Sequence, residues 1–188
     1  VSEATVRRPT RPELMAAQDR TIADVLPADG SPVAVLFCGI NPSLYSAATG
    51  HHFARPGNRF WPALHRSGFT GRLLAPHEQS LLPRYGLGIT NLVARATARA
   101  DELTPEELRE GGLRLAALVE RHAPRVLAIA GVTAYRTAFG KPGTAIGPQQ
   151  ETFGAAGLWV LPNPSGLNAS WTMDRIADEF GRLRAHIS

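Results

Sequence analysis

Three short apolar runs constrain this chain most: Val33 to Cys38, Arg125 to Gly131 and Leu158 to Leu161. Each is too short for a buried helix and lacks polar alternation, which describes strands covered on both faces. A fourth run, Gly86 to Val93, has the same length but is spaced by glycines. The segments between them have helical spacing. Pro12 to Leu26 carries Leu14, Ile22 and Leu26, and Asn58 precedes Phe60, Trp61 and Leu64 as a cap. Pro76 to Leu82 predicts a short helix, and Val132 to Phe139 another. Thr104-Pro105-Glu106-Glu107 opens a helix to about His122, with proline in its first turn and a capping box. Ser170 to Ala185 spaces Met173, Ile176, Phe180 and Leu183 along one face. Strands alternating with helices predict an α/β fold, three-layer α/β/α, with a central, mainly parallel four-stranded sheet. Gly140 to Gly157 reads as a loop or hairpin. Gly111-Gly112 inside a helix costs about 1 kcal/mol per glycine and predicts a close backbone approach.

The 188 residues suit one domain, 12–188, behind a disordered basic extension, 1–11, that holds Arg7, Arg8 and Arg11. Net charge is +4, and Lys141 is the only lysine. That balance favours polyanionic partners without selecting one. The single cysteine, Cys38, excludes an internal disulfide and any multi-cysteine metal site; at a strand end it reads as a buried structural thiol. No apolar run approaches the ~20 residues that span a bilayer. The N-terminal residues carry no secretory-type apolar segment, so the expected location is cytoplasmic.

Two loops leave the carboxyl ends of predicted strands, where open α/β sheets place ligands. Gly39-Ile40-Asn41-Pro42-Ser43 offers an amide, and Asn163-Pro164-Ser165-Gly166-Leu167-Asn168 offers a leucine on a tight turn. An amide at a pocket and an apolar wedge suit a protein that extrudes a base from DNA and acts on it. Taken alone, Asn41 equally fits a residue that closes a strand-to-loop turn.

Four ordered motifs carry a resemblance over residues 33 to about 185. They are Phe37-Cys38-Gly39-Ile40-Asn41-Pro42-Ser43; Thr49-Gly50-x-x-Phe53-Ala54-x-Pro56-x-Asn58-Arg59-Phe60-Trp61; Thr90-Asn91-Leu92-Val93-x-Arg95-x-Thr97; and Leu161-Pro162-Asn163-Pro164-Ser165-Gly166-Leu167. The chain resembles the mismatch-specific uracil/thymine-DNA glycosylases, the Mug type of the uracil-DNA glycosylase superfamily. The resemblance implies a monofunctional base-excision enzyme acting as a monomer on double-stranded DNA with G·U or G·T mismatches. It implies no organic cofactor and no metal. The alternative is a non-catalytic mismatch-binding protein of the same fold. A small-ligand α/β protein is disfavoured, since neither a dinucleotide fingerprint nor a Walker loop is present.

Within that resemblance Asn41 holds the attacking water. An amide orients water but cannot take its proton. Ile40, Ser46, Phe53 and Asn91 form the base pocket, with Phe53 as the stacking platform. Gly166, Leu167 and Asn168 enter the duplex and meet the opposite base. Asn163, Ser165 and Arg59 contact the DNA backbone, with Asn163 alternatively holding its own loop; Arg95 and Arg99 are further phosphate candidates. Asp101 departs from the family pattern. It reads either as a second catalytic group or as a solvated carboxylate near a helix start. Phe53 has the competing reading of a core plug. His51 and His52 read as exposed loop histidines without the partners of a metal site.

Overall fold

A computed structural model describes residues 7–188; residues 1–6 of the predicted extension lie outside them. The described part of that extension is ordered against α1 (Arg11–Met15): Thr10 forms its capping box with Glu13, and Arg7 pairs with Glu13. α1 ends far short of the predicted Leu26. Asp19 takes a left-handed φ of 62°, and the chain then runs extended to a single bridge between Val25 and Ile89.

The sheet has five strands: β1 (Val35–Gly39), β2 (Leu87–Asn91), β3 (Val126–Ala130), β4 (Gly147–Phe153) and β5 (Ala156–Leu161). Their order is β2-β1-β3-β5-β4. All pairs are parallel except β4 with β5. The fold is therefore α/β as expected, with one strand more than predicted. The Gly140–Gly157 segment resolves as the hairpin alternative, and β4 is its polar outer arm.

The alternation of side chains along β1 sorts the core into two layers. Val35 and Phe37 face one cluster with α3 (Phe60–Arg66) and α6 (Met173–Ile187). Leu36 and Cys38 face the other, with α4 (Pro105–His122) and α5 (Val132–Phe139). Phe37 stacks on Phe180 at 5.6 Å and meets Phe60 edge-on at 5.3 Å, so truncating it to alanine costs about 3–5 kcal/mol. The paired glycines of α4 are explained by contact. A Cβ on Gly111 would lie 2.2 Å from the Leu92 carbonyl oxygen, and one on Gly112 2.9 Å from Phe139. Burial also raises the pKa of the Cys38 thiol, consistent with an inert core cysteine.

From β1 the chain continues to β2 on one side of the sheet, and from β3 to β5 on the other. The carboxyl ends of β1 and β3 thus flank the switch point, where such sheets open a crevice. Short α2 (Leu44–Thr49) follows β1 directly and forms part of the crevice wall.

Candidate active site

A cleft of about 770 Å³ opens at that switch point, within the usual size range of ligand sites. Its lining brings together Ile40, Asn41, Ser46, Phe53, Asn91, Asp101, Asn163, Ser165, Leu167 and Asn168. These residues come from segments spread over most of the chain. Gly166 and Arg59 stand behind the lining, each for a reason given below.

The first loop is held to its neighbour beyond the end of the sheet. Gly39 pairs with Asn91 in parallel register. The pairing then continues irregularly, with Leu92 N donating to Gly39 O, Val93 N to Ile40 O and Thr97 N to Pro42 O. This places Asn41 beside Thr97. Asn41 Nδ2 donates to the Arg95 carbonyl at 3.0 Å and to Thr97 Oγ1 at 2.8 Å. Thr97 Oγ1 donates onward to the Arg99 carbonyl at 2.7 Å. Both amide hydrogens of Asn41 are thereby committed, and its Oδ1 is left as an accessible acceptor in the cleft. Only one rotamer of the amide satisfies these bonds.

Phe53 has a φ of 52°, a left-handed conformation that costs a non-glycine residue about 1–3 kcal/mol. Its surroundings leave it little alternative. His52 N donates to Gln79 Oε1 at 2.7 Å, the Trp61 indole donates to His52 O at 3.1 Å, and Ala54 N donates to Ser46 Oγ at 3.2 Å. One face of the Phe53 ring stacks on Phe60, with centroids 4.0 Å apart and planes at 19°. The ring also lines the cleft. One side of the ring is thus packed in the core and the residue also borders the cleft. Gly39 makes the floor, because a Cβ there would lie 2.6 Å from Asn91 Oδ1 and 3.2 Å from Phe53 Cζ. Gly131 gives way to Ile40 in the same manner, at 2.8 Å. Ser46 is buried and joined to Ser43 Oγ at 3.1 Å.

The second loop is an internally bonded turn. Asn163 Oδ1 accepts from Ser165 N, Ser165 Oγ accepts from Leu167 N, and Asn168 Nδ2 donates to Asn163 O. The side-chain oxygen of Asn163 thus holds the loop, the second of its two expected roles. Leu167 is 70% exposed at the tip. Gly166 is required by proximity: a Cβ would meet the Gly57 carbonyl oxygen at 2.7 Å.

Arg59 has an engagement within the protein that the sequence does not announce. Its guanidinium donates to the carbonyls of Trp171, Ser165 and Asn168, and its Nε reaches that of Pro164. These bonds use four of the five guanidinium N–H groups, so Arg59 organises the second loop from below. Arg95 is likewise engaged by Glu107 and Asp19; the bond from Arg95 holds the Glu107 carboxyl down at about 2. Asp101 is 63% exposed in its side chain and paired with Arg99 at the cleft rim.

Three features went unread in the sequence. His52 is buried, not exposed. Arg55 is an exposed rim cation with no ion-pair partner among the described residues. Trp171, also at the rim, carries Arg175 over its ring at 4.5 Å. Only the position of Arg55 between Phe53 and Asn58 could have flagged it.

An open amide oxygen, a half-free aromatic face and an exposed leucine share one cleft at a sheet switch point. The family model described as "Uracil DNA glycosylase superfamily" matches residues 28–184, which include every residue lining that cleft except Ile22. The chain therefore belongs to the uracil DNA glycosylase superfamily, whose role is to release bases from DNA in base excision repair.

Proposed function

We propose that this chain is a monofunctional glycosylase of the mismatch-specific Mug type. It hydrolyses the N-glycosidic bond of uracil, and of thymine, opposite guanine in double-stranded DNA, working as a monomer. The observation that carries the reading is the fixed amide of Asn41, whose oxygen has no donor among the described residues and is an acceptor open to the cleft.

As the C1′–N1 bond breaks, its electron pair leaves with the base and the sugar becomes oxocarbenium-like. Water must attack the opposite face of C1′. Asn41 Oδ1 accepts one hydrogen of that water and turns its lone pair toward C1′. The C1′–O bond forms as the water loses a proton to solvent, because a neutral amide cannot take it. Catalysis of this kind relies on positioning, and slow chemistry follows from the missing base. The extruded pyrimidine lies on the free face of Phe53, where stacking offsets about 1–3 kcal/mol of lost base stacking. Leu167 enters the vacated position, and Asn168 faces the widowed guanine. Arg55 supplies unneutralised charge for a phosphate near the mouth.

Asp101 takes a lesser part. Its pairing with Arg99 makes it a rim carboxylate, able to lower the potential around a developing cation but not poised as a free base. Single-turnover excision by Asp101→Ala is expected to slow far less than by Asn41→Ala. An unchanged rate removes Asp101 from the chemistry.

A duplex with one G·U pair, incubated with the protein and treated with alkali, tests the main reading. Scission at the uracil is the expected outcome. A gel shift without scission would instead identify a non-catalytic mismatch binder.

A further inference from the structure

His52 is 1% exposed, stands in the cleft wall behind Asn91, and has no part in the steps above. Its Nε2 lies 2.9 Å from the Ala23 carbonyl oxygen. A carbonyl only accepts, so Nε2 carries a proton. Burial holds the imidazole below its ordinary 6.5, and the ring is neutral at pH 7 with a bare lone pair on Nδ1. That lone pair meets Asn91 Nδ2 at 3.3 Å. The opposite amide rotamer would set Asn91 Oδ1 against it, two acceptors facing each other away from water, which is costly. The polarity of the Asn91 amide is thus dictated from behind.

Its oxygen is directed to the floor. The same hypothetical Cβ on Gly39 meets both Asn91 Oδ1 and the edge of the Phe53 ring, so the two border one small volume at the margin of the ring. Oδ1 accepts no hydrogen bond from the described residues and is not buried.

We propose that His52 is the specificity-determining positioning residue of this site: by fixing Asn91 Oδ1 toward the platform, it admits pyrimidines that carry a proton on N3 and refuses those with a lone pair there. The proposal rests on the glycosylase reading. Uracil and thymine donate N3–H to Oδ1. Cytosine brings an acceptor to an acceptor. The distinction matters most for an enzyme directed to guanine, whose normal partner is cytosine. A freely rotating amide would serve either base, since its two ends have nearly the same shape. His52 removes the second rotamer. A site that leaves a polar group unpaired against the wrong ligand discriminates far better than one relying on shape.

The test measures binding of duplexes carrying non-cleavable 2′-fluoroarabino analogues of deoxyuridine or deoxycytidine, each opposite the same non-pairing nucleotide analogue. The wild type should prefer the uracil analogue. His52→Leu should cut that preference about tenfold, and His52→Asn, which keeps an acceptor near the old Nδ1, should restore part of it. Equal losses for both bases, or an unaltered preference in folded His52→Leu, overturns the proposal. Nitrogen NMR of the intact protein labelled in histidine gives an independent reading. An unprotonated Nδ1 and protonated Nε2 are expected for His52, and the reverse tautomer overturns the proposal whether or not the variants fold. A wild type that fails to cut uracil removes the glycosylase reading itself. A wild type that cuts uracil while His52→Leu keeps its preference removes only the histidine's role.

Discussion

The two loops that meet over the cleft are built on opposite plans. Gly39–Ser43 is tied by its backbone to 92–97, and its functional side chain is fixed by two donated bonds. Asn163–Asn168 is tied by its carbonyls to one guanidinium, and its functional side chain is left without polar anchorage at the tip. On the proposed reading, the contrast teaches what each task demands. Orienting a water needs a single amide rotamer. Filling a gap in stacked bases needs an apolar group held forward but free to settle.

The difference is broken most severely at Asn41. Asn41→Ala should reduce single-turnover uracil excision by about 10²-fold, while duplex binding, measured by anisotropy, stays near the wild-type value. Parallel losses of binding and rate would mean that the first loop holds DNA, not water.

At the second loop the effect is smaller and selective. Leu167→Ala should slow cleavage of duplex substrate about tenfold and leave single-stranded substrate nearly unchanged. Arg59→Met should reproduce that pattern and cost about 1–3 kcal/mol of stability through orphaned carbonyls. Because both act on one turn, the double variant should be less impaired than the two effects added. Additive losses would separate the loop from its staple.

The smallest effect sharpens the platform between the loops. His52 is held below its ordinary 6.5 mainly by burial, with Asp24 opposing and His51 reinforcing the shift. A depressed value in the folded state means stability is complete above 6.5 and is lost as pH falls through the folded value. Urea midpoints should therefore decline below pH 6.5 more steeply in the wild type than in His52→Leu. Glu13, Glu78 and Glu107, each lowered to about 2 by arginine partners, act at lower pH in both proteins, and His51 is common to both. Identical curves would place His52 in contact with solvent.

Apolar runs made β1, β3 and β5 readable, and capping chemistry placed the start of α4 where Thr104 accepts from Glu107 N. β4 was not readable as a strand because its residues are mostly polar and exposed; its partner β5 provides the pairing, as suits an edge. Asn41, Asn91 and Asn163 were legible in position, since they sit where strands end. Their couplings were not. Arg59 works on carbonyls more than 100 positions away, and Asn41 depends on Thr97, 56 positions on. His52 looked like a loop histidine because nothing local announces that Ala23 and Asn91 will close over it.

The contact of Gly166 with Gly57 has a mechanical meaning. Gly57 lies on the short link between Phe53 and Arg59, so the turn that carries Leu167 packs directly against the segment that carries the Phe53 ring. On the proposed reading, pressure on Leu167 as it entered a duplex would reach the segment that carries Phe53 through that pair of glycines. Penetration of the helix and readiness of the pocket would then be two ends of one lever.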